Sequence, residues 1–429
     1  EHANGSATNA DLWRAVDKTA GKPVSSVASD FIDQPGVPLI SVAATPAGAR
    51  LTQSRFGTDA ASSKPLTWRT PVALRGLDGL VTEQLISRDE PRTVAGPVVA
   101  NAGQVGYYRV AYDEASLAPL ADALPRLPSA DQYGLLKDSY ALGMAGAAPI
   151  GNFLRLSVAL PVDADPLVWR DQARTLAAID DYYSPGAGRT AYRAWALKVL
   201  APALHQIGFD PKSKESDNDA VLREDLLLTL SQMGDPTVTA EARKRFDASR
   251  ESLGRLSAAE RRWVLASVAR SADAKTFQTL HDLARAARDP LEKQALYSDL
   301  TTVEDPLLAG QVLALAITDE APSGQAAGLV RRVAAVHPDL AWRFTLANLP
   351  ALNRVLDTLN RSTFVPRIAS ASSDPKVAGE LEAYAAKNIP ADAQGEVRVA
   401  LSKIRAGAEI RAKRVPQIEA WIAGAAKAD

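Results

Sequence analysis

The dipeptide Asp-Pro recurs at 165, 210, 235, 289, 305 and 374, and this recurrence constrains the fold more than any other feature. Asp at an N-cap accepts a bond from a free backbone N–H, and Pro fits the first helical position without losing a hydrogen bond. The pair therefore reads as a helix start. Between these marks lie apolar residues at helical spacing: Trp169, Ala173, Leu176 and Ile179; Trp195, Val199 and Ala203; Leu296, Leu300 and Val303. From 113 to 429 only helical periodicity is found. Roughly 16 helices joined by short loops form the pattern of a mainly α fold, an irregular HEAT/armadillo-like α-solenoid. No strict repeat aligns, so the array is degenerate. The loop at 210–219 is polar enough to be mobile.

Upstream the pattern changes. Residues 1–35 read as two short helices. Thr8 and Asp11 are spaced for a capping box, Leu12, Trp13 and Val16 follow at helical spacing, and Gly21 ends the run. Pro23 opens the next helix, with Val24, Val27 and Phe31 on one face, and Pro35-Gly36 stops it. From 36 to 112 the period is two. Pro38, Ile40 and Val42 alternate, as do Leu66, Trp68, Thr70 and Val72. Leu51 to Phe56, Val98 to Ala100 and Tyr107 to Tyr112 are further strand candidates. Turns at Pro46-Ala47-Gly48, Asp78-Gly79 and Asn101-Ala102-Gly103 separate them, which predicts a small β-sandwich.

Several functions are excluded by what the sequence lacks. Its 49 basic and 50 acidic residues leave a formal charge of −1, so there is no electrostatic reason to bind nucleic acid. No apolar run approaches the length of a membrane span, and no signal-peptide succession opens the chain. It begins at Glu1 rather than Met, which fits a processed form with residues upstream. Cysteine is absent, which removes disulfides, thiolate nucleophiles and cysteine metal sites.

A zinc peptidase helix of the H-E-x-x-H kind needs two imidazoles four apart. The histidines here are His2, His205, His281 and His337; the closest two stand 56 positions apart and none precedes Glu. No metal site and no catalytic residue is expected within the chain. His281 reads as a surface or half-buried residue on a helix and His337, before Pro338, as a helix junction. Gly186-Ala187-Gly188-Arg189-Thr190 lacks the P-loop spacing and lysine, and reads as the end of one helix and the start of another. Ser373-Asp374-Pro375-Lys376 matches S-x-x-K formally, but its Asp-Pro makes it a helix cap. Asp180-Asp181, beside Tyr182-Tyr183, is either a ligand-facing patch or a solvated helix end, and the sequence favours the second. Arg405, Arg411, Lys413 and Arg414 complement a helix dipole; binding a substrate carboxylate is their alternative role.

Three stretches together resemble the zinc aminopeptidases of the aminopeptidase N and puromycin-sensitive type. The first runs through Asn4-Gly5-Ser6-Ala7-Thr8, Asp11-Leu12-Trp13, Gly21-Lys22-Pro23-Val24 and Gln34-Pro35-Gly36-Val37-Pro38. The second is Asn101-Ala102-Gly103-Gln104-Val105-Gly106-Tyr107-Tyr108-Arg109-Val110, followed by Tyr112-Asp113. The third is diffuse: Leu135-Leu136-Lys137-Asp138, Leu222-Arg223, Ala341-Trp342-Arg343-Phe344 and Ile418-Glu419-Ala420-Trp421-Ile422.

The resemblance spans essentially the whole chain, but matches only the C-terminal portion of that family. It implies that 1–35 is the helical tail of a catalytic domain, 36–112 the β-sandwich and 113–429 a helical cap. It also implies a parent that removes N-terminal residues from peptides with zinc. The zinc ligands, general base and catalytic Tyr have no match here, so the chain alone is expected to be inactive. The helical part would enclose a chamber and bind the distal peptide. Expected partners are peptide substrates and the N-terminal and catalytic domains, with neither nucleic acid nor membrane. Basic residues facing the peptide are candidates, and Arg223, Arg331, Arg332 and Arg343 are put forward. Trp13, Trp68, Tyr107 and Tyr108 read as core or interface residues. The cysteine-free composition leans towards the periplasm over the cytoplasm. A stand-alone peptide- or protein-binding scaffold is the alternative, since helical solenoids present extended concave surfaces.

Overall fold

The structure, a computed structural model, describes residues 6–57, 62, 64–250, 252–320, 324–356 and 358–426; His2, Asn4 and Gly5 lie outside them. Two helices open the described chain. In α1 (Asn9–Ala20) the Thr8–Asp11 capping box forms as spaced, and Gly21 ends the helix at φ 65°. Then α2 (Val24–Ile32) follows Pro23. Neither helix buries a residue fully.

Seven strands come next: β1 (Val37–Thr45), β2 (Gly48–Phe56), β3 (Thr70–Gly76), β4 (Val81–Ile86), β5 (Arg92–Val94), β6 (Val98–Ala100) and β7 (Arg109–Tyr112). They form one sheet in the order β5-β2-β1-β7 and another in the order β4-β3-β6. The β1–β2 hairpin pairs Val42 with Leu51, and β7 joins β1 in parallel with Val110 beside Ile40. The two-residue period delivers the core: Ile40, Val42, Leu51, Val72, Leu74 and Ile86 are each at most 1% exposed. Three details differ from the sequence reading. Leu66 and Trp68 precede strand β3 rather than belong to it, although Trp68 is buried. Strands β4 and β5 carry too little alternating hydrophobicity to stand out; Val81, Thr82 and Glu83 are all exposed. Tyr108 is buried, but Tyr107 is 71% exposed.

Helices begin at Glu114, where the sequence period changes: α3 (Glu114–Ala123), α4 (Ser129–Ala145) and α5 (Gly151–Ala159). The first compact unit nevertheless runs on to Val168, because α4 is bonded to the sheets. Its Asp131, fully buried, accepts from Arg75 Nε and from the Gly103 amide, both at 2.6 Å. Its Asp138 accepts from Arg109 and from the Val110 amide at 2.9 Å.

The second unit is Trp169–Asp429. From α6 (Pro166–Asp180), which begins at its edge, the helices are α7 (Ala187–Ile207), α8 (Asp217–Gln232), α9 (Pro236–Ser249) and α10 (Ala258–Arg270). Then come α11 (Ala274–Ala286), α12 (Pro290–Leu300), α13 (Pro306–Leu315), α14 (Ala326–Val336) and α15 (Pro338–Ala347). The last are α16 (Leu349–Val355), α17 (Thr358–Ala369), α18 (Pro375–Asn388), α19 (Gly395–Lys413) and α20 (Val415–Ala425). Most helices pack on near neighbours in sequence, as in an α-solenoid.

From α3 onward eighteen α-helices are described, more than periodicity suggested, because short ones such as α16 hold too few turns to show a period. Five of the six Asp-Pro pairs start helices: Asp165, Asp235, Asp289, Asp305 and Asp374 each accept from first-turn amides. Asp210 does not. It binds Arg245 at 2.8 Å, and Glu215 in the segment after it pairs with Arg223. No described helix is long and apolar enough to cross a membrane.

The end of this unit returns to its beginning. Trp421 of α20 meets Trp195 of α7 edge-on at 6.0 Å between ring centres. Gly188 lies against the Glu419 carboxylate in the same contact. Arg411 of α19 donates to the Tyr182 carbonyl at 2.9 Å.

Candidate functional site

A concavity of about 760 Å³ lies within the second unit. Its wall is assembled from helix ends: the α6–α7 junction, then Gln232, Arg270, Glu304, His337, Ala371 and Arg411. After the first junction these contributions fall roughly 33–40 residues apart, the length of a helix-pair repeat. The repeat that does not align as sequence is thus visible as geometry.

The Asp180 carboxylate anchors the basin. It is fully buried and receives Arg189 at 2.7 Å and Arg193 at 2.9 Å. Burial opposes its ionisation, but the two guanidinium groups outweigh that and hold it below the usual carboxylate range. The solvated helix end expected for this pair is therefore corrected at Asp180. The α6 terminus is turned inward because Arg189 and Arg193, one turn apart on α7, face it. Asp181 stands exposed on the wall. The surrounding protein desolvates its carboxyl and Asp180 repels its charge, which together push it up to about 6.

Further round, Arg270 and Arg193 share Glu304, at 3.1 and 3.4 Å. Burial presses the Arg270 guanidinium below its usual range; Glu304 opposes this, while Arg193 and Arg189 add to it. Its cationic charge is under-compensated. Among the described residues, Asp180 and Glu304 are the carboxylates bonded to Arg189, Arg193 and Arg270, while Asp181 and Asp339 line the wall without bonding them. Two donors remain unsatisfied: Arg270 Nε and the hydroxyl of Tyr183, a side chain only 5% exposed. A buried donor without an acceptor costs about 1–3 kcal/mol.

The four arginines named from sequence separate. Arg223 is 5% exposed and spends its guanidinium on Glu215 and on the Gly208 carbonyl, the latter at 3.1 Å. Arg343 holds Glu380, which also accepts from the Trp342 indole at 2.6 Å. Arg331 and Arg332 share a different, smaller hollow. Of the basin arginines, Arg411 stood in the basic run whose alternative role was a substrate carboxylate. Arg189, Arg193 and Arg270 were missed. The signal that could have found them is a basic or polar residue at each helix junction, spaced like a repeat.

The residues present do not fit the zinc ion that the resemblance implies. His205 is exposed at the end of α7, His281 is bonded to Glu320, and His337 donates from Nε2 to the Val303 carbonyl at 2.8 Å. Among the described residues no three His, Cys, Asp or Glu side chains converge on one point. No step is assigned to a metal within this chain.

Residues 97–406 match the model of a family described as the ERAP1-like C-terminal domain. The chain is similar to Aminopeptidase M1-A of Oryza sativa subsp. japonica, with 24% identity covering 95% of this chain and 49% of that relative. It is similar to Aminopeptidase M1 of Arabidopsis thaliana, with 27% identity covering 80% of this chain and 42% of the relative. A third relative is Tricorn protease-interacting factor F2 of Thermoplasma acidophilum, with 26% identity covering 64% of this chain and 35% of that one. The chain spans about half or less of the length of these relatives.

Proposed function

This chain belongs to the ERAP1-like C-terminal domain family, and from that premise we propose that it is the peptide-enclosing part of a zinc-dependent aminopeptidase. In this reading bond cleavage falls to residues outside the present sequence. The helical unit binds the distal part of the peptide whose N-terminal residue is removed. Binding energy gained away from the reacting bond can then serve to position it. The anionic group best matched to the basin is the peptide's own C-terminal carboxylate, which any linear peptide supplies.

One observation carries this reading: a basin to which three separate helix junctions contribute guanidinium groups, with the Tyr183 hydroxyl and Arg270 Nε left unsatisfied in its wall. The test compares a short fluorescent peptide bearing a free C-terminal carboxylate with the same peptide amidated. The native chain is expected to bind the free acid about tenfold more tightly, the worth of one charge-assisted contact. Arg411→Ala should shrink that ratio towards one. Equal affinity for acid and amide would overturn the reading.

A further inference from the structure

We propose that a second hollow, between α12, α14 and α17, is a binding site for a phosphate group. It measures about 280 Å³ and is walled by Gln294, Gln325, Arg331, Arg332, Phe364 and Arg367. None of these residues lines the carboxylate basin, so the site stands independently of the function proposed for that basin.

Three guanidinium groups meet at this hollow and little answers them. Arg367 is bridged to Glu396 at 3.2 Å, whereas among the described residues Arg331 and Arg332 form no salt bridge or hydrogen bond. The carboxyl that Arg332 senses is Asp299. Burial pushes it up to about 7, with Arg332 opposing, so near neutrality it supplies only part of a negative charge. The backbone is shaped to match. A Cβ on Gly328 would come 3.1 Å from an Arg332 nitrogen, so the bare glycine lets that guanidinium lie against the first turn of α14. Phe364 is 3% exposed and offers little apolar surface. An apolar occupant would leave these donors unanswered.

The donor set favours phosphate over carboxylate. Guanidinium groups bond oxyanions through paired N–H groups. Arg331 and Arg332 bring two unpaired forks, and Arg367 adds a third cation already shared with Glu396; that surplus of positive charge suits the three terminal oxygens and up to two charges of a phosphomonoester better than the single charge of a carboxylate. Free phosphate and the phosphate of an ester share this chemistry.

The test is calorimetric titration of the chain with inorganic phosphate, phenyl phosphate and acetate at matched ionic strength, because salt screens exposed charges. Inorganic phosphate is expected to bind saturably and at least about tenfold more tightly than acetate. Arg331→Ala and Arg332→Gln should each weaken it about tenfold. Arg331 is solvent-exposed, so its truncation leaves the fold intact. Arg343→Ala, whose side chain pairs with Glu380 elsewhere, should leave phosphate binding unchanged. Phenyl phosphate binding as tightly as phosphate identifies an ester as the natural ligand; its exclusion identifies the free ion; either outcome supports the site. Absent binding, equal affinity for acetate and phosphate, or arginine variants that bind like the native chain would overturn it.

Discussion

The two compact units use the same pair of residue types, arginine and a buried carboxylate, to opposite ends. In the first, Asp131 and Asp138 each receive one arginine and one backbone amide, and those bonds fasten α4 to the sheets. Neither Arg75 nor Arg109 is left with a buried donor lacking a partner. In the second, Asp180 receives Arg189 and Arg193, and Glu304 receives Arg193 again together with Arg270, while the wall beside them keeps Arg270 Nε and the Tyr183 hydroxyl unanswered. An ion pair that consumes its donors is a fastener. One that orients arginines without exhausting them prepares a surface for an anion.

The largest effect expected from breaking this comparison is on stability. Asp131→Asn and Asp180→Asn each remove a fully buried carboxylate and strand one or two guanidinium groups, so each should cost about 3 kcal/mol in urea unfolding. The contrast lies in a second readout, because only Asp180→Asn should also weaken binding of a peptide with a free carboxylate. If both variants bound it like the native chain, the division between fastener and surface would fail.

Next in size, Arg411→Ala should lower affinity for that peptide about tenfold while changing stability by about 1 kcal/mol or less, since its bond to the Tyr182 carbonyl is a single contact. Arg109→Ala should do the reverse, destabilising through Asp138 and leaving the peptide untouched.

A smaller effect concerns pH. Asp181 holds its proton to about 6 in the folded chain, against an ordinary value of 3.8. Between those values the folded state binds more protons than the unfolded one, so this group's contribution to stability falls as pH rises from about 4 to about 6. Thermal unfolding of Asp181→Asn across that window should show a flatter slope than the native chain. Carboxylate binding should tighten as pH falls through the same range, because a negative neighbour is neutralised. Last, Tyr183→Phe should raise stability by about 1 kcal/mol, since the buried hydroxyl it removes has no partner. Any loss of peptide affinity in that variant would show the hydroxyl meeting the ligand.

Local chemistry was readable in the sequence. The capping box at Thr8–Asp11 and the Asp-Pro starts at 235, 289, 305 and 374 span four residues or fewer. Their bonds form wherever the backbone turns helical. The change of period near Tyr112 also appears where the strands end, because side-chain alternation is set by the pleat itself. Asp210 shows the limit of such reasoning, for its capping role was displaced by Arg245, 35 positions away.

The site lay beyond that reach. Arg223 looked as available as any other basic residue until the segment from Gly208 to Glu215 folded onto it. Asp180 looked solvated until Arg189 and Arg193 turned towards it. The sequence by itself determined the strand and helical regions, the helix starts at five Asp-Pro pairs and the lack of an H-E-x-x-H pair, because each depends on residues within a few positions of one another. Only the tertiary structure decided which arginines are spent and which are spare. A guanidinium is made structural or available by what is buried against it, and Arg411 finds Tyr182 across 229 positions of chain.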